Sequence, residues 1–276
     1  MEPEEARARL RELAAQGEEL DLFEGALLVA TTGRPDLDLA AVRAQLQALV
    51  SRARERLREF EGGPERLDAL LRFVYQEQGF VGDEADYHHP RNSHVDQVLS
   101  RRAGIPISLA VVLVELGRRL GVPLAGVGFP GHFLVRFLAD PPTLLDPFAG
   151  GRRLTEQDCR ELFRRVTGGG VRFDPRCLLP APRREVLARM LRNLKGAHLR
   201  RGELDQALEA TTRLLLVDPE AHEELRDRGR LRLRQGDLSQ GREDLLEYLR
   251  RAPQAPDRTE VQGELERAQA RLWSLN

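Results

Sequence analysis

At 276 residues the chain exceeds a typical single domain and has room for two, or for one domain with a repeat array. Lys and Arg number 43 against 44 Asp and Glu, a formal net charge of -1 with the signs interspersed, which excludes the one-signed face that nucleic acid or anionic lipid requires. Two cysteines are too few for a disulfide framework, the acid-rich start MEPEEARARLRELAAQG lacks a signal-peptide layout, and no run reaches the ~20 apolar residues of a membrane span, so a cytoplasmic protein without membrane contact is expected.

Residues 1–80 read as helices. Leu10, Leu13, Leu20, Phe23, Leu27 and Leu28 recur at helical spacing. Asp36 or Asp38 then caps a long helix with one apolar stripe through Leu39, Val42, Leu46, Leu49, Leu57 and Phe60, stopped by Gly62-Gly63-Pro64. A further helix carries Leu67, Leu70, Leu71, Phe73 and Val74 as far as Gly79.

Over residues 81–180 the pattern changes to an α+β core. The polar stretch DEADYHHPRNSH precedes a strongly helical segment from Ile107 to Leu120. LAGVGF, HFLVRF and TLLDPF are short apolar runs bounded by Gly and Pro, as the strands of a small antiparallel sheet are. Thr155 and Asp158 have the spacing of a capping box opening one more helix, and Leu179-Pro180-Ala181-Pro182-Arg183 reads as a linker.

Residues 181–276 repeat themselves. GELDQALEATTRLLLVDPE is matched by GDLSQGREDLLEYLRRAPQ, pairing Gly202 with Gly236, Leu204 with Leu238, Ala207 with Gly241, Leu214 with Tyr248 and Pro219 with Pro253, each pair thirty-four positions apart. That is the period of the tetratricopeptide helix-turn-helix unit, so an all-α array is expected here, closed by a last helix from Glu260 to Leu275. Two units fall short of the three such arrays usually need, so this one is expected to lean on the preceding domain or on the last helix. Tetratricopeptide arrays hold a protein or peptide on the first helix of each pair, which here offers Asn193, Arg200, Arg230 and Arg234 as exposed partner-binding residues.

The chemistry-bearing residues gather in the middle. HFLVRF and TLLDPF can pair as neighbouring strands, which brings Asp146 to His132 as a carboxylate that orients an imidazole. His88, His89 and His94, with Asp83, Glu84 and Asp86, have no diagnostic metal-ligand spacing. They read as turn and capping residues, with Asn92 or Ser93 capping the helix that leads to Leu99, so neither metal nor other cofactor is expected.

The Gly121-Val122-Pro123 turn after the helix, His132 opening its strand and Asp146-Pro147 closing the next resemble the transglutaminase-like superfamily, whose fold is a cysteine-protease-like α+β core. The longer run from HPRNSH to GHFLVR, followed by LLDPFAGG, resembles a bacterial subfamily, the SirB type, in which this core is joined to tetratricopeptide repeats. The resemblance places the family's nucleophilic cysteine at Pro106, where this chain reads GIPI. It therefore implies a catalytically degenerate core and a binding or regulatory role for the repeat tail. The alternative is a thiol-independent hydrolase or acyl-transfer enzyme in which His132 activates water, oriented by Asp146, with Asn92 and Ser108 as substrate or cleft residues. Cys159 and Cys177 lie beyond the strands and read as small core residues.

Overall fold

The structure, a computed structural model, describes residues 1–274; Leu275, expected in the last helix, and Asn276 lie outside the described residues. Helix α1 (Pro3–Ala14) leads to α2 (Leu22–Ala30), which is buried along nearly its whole surface because Phe23 to Ala30 carry only one polar side chain. Asp21 opens α2 by accepting from the Phe23 and Glu24 amides at 3.0 Å, and Asp38 does the same for α3 (Leu39–Leu57) at the Ala40 and Ala41 amides. The α3 stripe ends at Leu57, so Phe60 belongs to the turn that follows and reaches the core from there. Gly62 and Pro64 both stop that turn and start α4 (Gly63–Leu71), since proline's missing N–H costs nothing in a first helical turn. Beyond Leu71 the chain winds on as a π-helical segment, Arg72–Glu77.

The loop from Asp83 to His94 is pinched at its base by two short strands, β1 (Val81–Gly82) and β2 (Ala103–Gly104), paired in parallel. Between them α5 (Val95–Arg101) has His94 at its cap position, with no side-chain cap bond; the capping role expected of Asn92 or Ser93 is not theirs, because both fall in or beside the 3-10 turn Pro90–Asn92. Helix α6 (Pro106–Leu120) begins at Pro106 and ends on Gly121, whose φ of 72° is left-handed and suits a residue without Cβ. Strands β3 (Leu124–Val127), β4 (Leu134–Phe137), β5 (Thr143–Asp146) and β6 (Arg152–Leu154) form one antiparallel sheet in chain order. Alternate residues face opposite ways. Val135, Phe137 and Leu145 join the core made with the helices, while Val127, Leu134 and Leu154 pack with Cys159 and Phe163 of α7 (Glu156–Thr167), which the expected Thr155–Asp158 capping box opens.

The tail is all helix: α8 (Arg183–Arg200), α9 (Leu204–Val217), α10 (His222–Arg234), α11 (Leu238–Arg251) and α12 (Arg258–Ser274). Gly202 and Gly236, at φ 72° and 87°, make the matching turns, and a Cβ on Gly229 or Gly241 would stand 2.9 or 3.0 Å from the other's carbonyl oxygen, so α10 and α11 approach as small residues allow. The array leans both ways. Val186, Leu187, Met190, Leu191 and Leu194 of α8 and Leu214 and Val217 of α9 belong to the main core, with α8 packed on α2 and α9 on α1, while Leu225, Leu245, Tyr248 and Val261 form a separate core that includes α12. Among the described residues no helix is long and apolar enough to cross a membrane.

Candidate functional site

Asp146 ends β5 and His132 lies two residues before β4, so the Val135–Leu145 pairing sets both at one end of the hairpin. His132 Nε2 lies 3.0 Å from Asp146 Oδ1, with the two side chains 13% and 11% exposed. The same oxygen accepts from the Phe148 and Ala149 amides at 3.0 and 3.2 Å. Burial alone would raise the Asp146 carboxyl, but the His132 bond and those two amides outweigh it and hold it below the usual carboxylate range. An ionised carboxylate only accepts, so Nε2 carries a proton, and in the neutral ring Nδ1 is the nitrogen with a lone pair.

The loop bearing His132 is tied to the repeat tail. Arg189 of α8 donates to the carbonyls of Phe129 and His132, and its guanidinium lies 5.4 Å over the Phe133 ring. Aromatic edges extend the site outward, from His132 to Phe148 and from Phe148 to Tyr87 on the Asp83–His94 loop, at centroid distances of 6.3 and 5.7 Å. On the π-helical turn, Tyr75 has its hydroxyl buried without a partner; burial, with Asp146 adding, keeps that phenol protonated. Arg189 and Tyr75 were missed in the sequence because each is distant in the chain and sits among ordinary helix residues, and Phe148, two residues after Asp146, because it reads as an ordinary apolar residue of its run.

Two of the expected cleft residues turn out to be braces. Ser108 is fully buried; its Oγ donates to the Asn92 carbonyl at 2.6 Å and accepts from the Ile105 amide at 3.2 Å, which closes the first turn of α6 and leaves the hydroxyl no ligand to meet. Asn92, also fully buried, donates to the Asp86 carbonyl and accepts from Arg101, each at 2.8 Å, so it organises the loop from within. Asp83 is spent likewise on Arg101, at 2.7 Å. Pro106 is buried at the first position of α6. Among the described residues no three His, Cys, Asp or Glu side chains are grouped as a metal would need.

Neither thiol is placed as a nucleophile. Cys159 is buried beneath the sheet, where burial pushes its thiol up to about 11, and burial raises Cys177 as well. A thiol-reactive acyl probe is therefore expected to label the native protein slowly at neutral pH, and replacing both cysteines with serine to cost only modest stability. Rapid labelling lost in one of the single variants would move the reactive centre to that cysteine.

On the repeats, Asn193, Arg200 and Arg234 are exposed. Arg230 is not: its Nε lies 3.0 Å from Glu264 and its Nη2 2.9 Å from Glu260, both on α12, so the last helix already occupies the guanidinium offered to a partner. Asn193 and Arg200, with Arg192, line a groove whose opposite wall is Tyr87, His88 and Ser93 of the Asp83–His94 loop.

A family model described as the transglutaminase-like superfamily matches residues 40–192, and a tetratricopeptide repeat model matches 194–266. A UPF0162 protein of Xylella fastidiosa is 43% identical over 216 residues, covering 77% of this chain and 77% of its own. Protein SirB1 of Salmonella typhimurium is 30% identical over 210 residues, 75% of this chain and 78% of its own. F-box only protein 21 of Homo sapiens is 31% identical over 222 residues, which is 68% of this chain and 34% of that protein. No solved structure matches the chain. With the His132–Asp146 pair at the end of one hairpin and helical repeats packed on the same core, the chain belongs to the transglutaminase-like superfamily, in its bacterial SirB-type group joined to tetratricopeptide repeats.

Proposed function

We propose that this is a catalytically degenerate transglutaminase-like protein of the cytoplasm that binds a protein or peptide along the inner face of its repeats. The observation carrying the reading is the groove in which Arg192, Asn193 and Arg200 of α8 face Tyr87 and His88 of the core loop. Arg192 is already paired with Glu224 and Asp218, so it is the Arg200 guanidinium and the Asn193 amide that suit a carboxylate-bearing or extended segment. The absence of a thiol at Pro106 supports the same reading, since proline offers no group to activate.

The test is charge reversal at Arg200 and Arg234, both exposed and outside the cores. Each lost charge-assisted contact is expected to weaken capture of a physiological partner by ~1–3 kcal/mol, with thermal unfolding unchanged. Retention of every co-purifying protein by the double variant would reduce the tail to a brace for its neighbour.

A second reading draws on the 3.0 Å His132–Asp146 bond: a thiol-independent hydrolase or acyl-transfer enzyme acting on amide or ester bonds, in which His132 Nδ1 takes a proton from water. Turnover of such a bond by the purified chain, abolished in His132→Ala, would favour it over the binding role.

A further inference from the structure

A second cavity, of about 400 Å³, lies where the turn after α2, the Pro90 segment and the α8–α9 turn meet. Among the described residues six buried side-chain nitrogen or oxygen atoms have no hydrogen-bond partner, and four of them belong to residues lining this cavity: Thr32 Oγ1, Arg91 Nε, His94 Nδ1 and His198 Nε2. Thr32, His94 and His198 are only 1%, 4% and 5% exposed. Leaving a buried polar group unpaired is unfavourable, so four such groups around one cavity suit it to a ligand that pairs with them.

The unpaired atoms define what that ligand carries. His198 Nδ1 lies 2.6 Å from Glu203 Oε2, and a carboxylate only accepts, so Nδ1 carries a proton and, in the neutral ring, Nε2 presents a lone pair. His94 bonds the Ala30 carbonyl, and since its Nδ1 has no partner that bond is made by Nε2–H; burial, with Arg34 adding, keeps the ring neutral and Nδ1 an acceptor. Two imidazole acceptors thus stand beside an unpaired guanidinium donor, Arg91 Nε. Arg34, Arg91 and Arg201 supply the N–H donors of the lining, each already beside a carboxylate, Asp96 at 2.8 Å, Asp86 at 3.2 Å and Glu203 at 2.7 Å, so what the cavity offers a carboxylate is hydrogen-bond donors rather than an excess of charge.

We propose that this cavity binds a small carboxylate bearing its own N–H donor, the group common to a free α-amino acid and a peptide C-terminus. The guanidinium groups and the Thr32 hydroxyl hold the carboxylate, and the two imidazole nitrogens accept from the N–H. The site shares no polar group with the His132–Asp146 pair and stands or falls apart from the partner-binding reading.

The test is thermal shift and calorimetry on the full chain with the twenty free L-amino acids, and with N-acetyl dipeptides ending in a free carboxylate or in a carboxamide. A saturable rise in melting temperature is expected with a carboxylate probe and not with its carboxamide. Free amino acids alone binding assigns the site to metabolites, and the acetylated dipeptides alone binding assigns it to peptide C-termini. Thr32→Val should weaken the effective probe about five-fold or more, yet leave the unliganded protein at least as stable, because it deletes an unpaired hydroxyl. His198→Phe provides a second variant with the same expected loss. No response to any carboxylate probe, an equal response to the carboxamides, or unchanged affinity in both variants would overturn the assignment.

Discussion

Replacing Arg213 with methionine is expected to destabilise the fold by about 3–5 kcal/mol, the cost of removing one partner from a buried charged network. Arg213 lies on α9 at 1% exposure, and its Nη1 donates to the Leu28 carbonyl at 2.6 Å and to Thr31 Oγ1 at 2.7 Å, both at the end of α2. Its Nε bonds Glu209, which also pairs with Arg7 of α1. Burial would raise the Glu209 carboxyl, but Arg7 and Arg213 outweigh it and hold it low. Methionine keeps much of the stem's volume and supplies no donor, leaving the end of α2 short of a bond and Glu209 half-paired. Arg213→Lys, which keeps the charge and loses the fork, should fall between. Urea denaturation measures all three proteins; a methionine variant within ~0.5 kcal/mol of the parent would show that apolar packing alone joins the tail to the core.

The second large effect is expected at Asp146. Asp146→Ala removes the acceptor of three hydrogen bonds and should cost at least ~1.5–3 kcal/mol, the range for a bond to a charged group. Asp146→Asn keeps an oxygen in place and should cost less, with a diagnostic dependence on pH. Because the native carboxyl is held below its ordinary value, the stability it contributes is present above the unfolded value of ~3.9 and is lost as pH falls through the native one. The gap between parent and Asp146→Asn should therefore narrow on acidification from pH ~5 downward. A gap that stays constant down to the acid limit of folding would mean that the negative charge contributes nothing.

Much of this was legible wherever local rules and tertiary packing agree. The thirty-four-residue period appears as α9 and α11 starting at Leu204 and Leu238 and ending at Val217 and Arg251. Asp38, and Thr155 with Asp158, cap as their spacing demands. The approach of His132 to Asp146 followed from two short apolar runs pairing as neighbours. What was illegible depends on distant partners. The β1–β2 pair is too short to leave a periodic trace, and Asn92 and Ser108 become braces only because Arg101 and the start of α6 close on the loop. Arg230 is taken by α12, thirty and thirty-four positions away, through packing that no motif encodes. The Thr32, His94 and His198 cavity joins three segments that have nothing in common along the chain.

The two family models meet at residues 192 and 194, inside α8, and that helix is built into both halves: its apolar side belongs to the core, while Arg189 holds the loop of His132. For gene fusion and recombination, the proline-rich linker at 179–182 is thus a misleading seam. A splice there would strip α8 from α2 and α9 from α1, and with them part of the main core. The unit that closes the main core therefore runs one helical pair beyond that linker, through α8 and α9 to Val217.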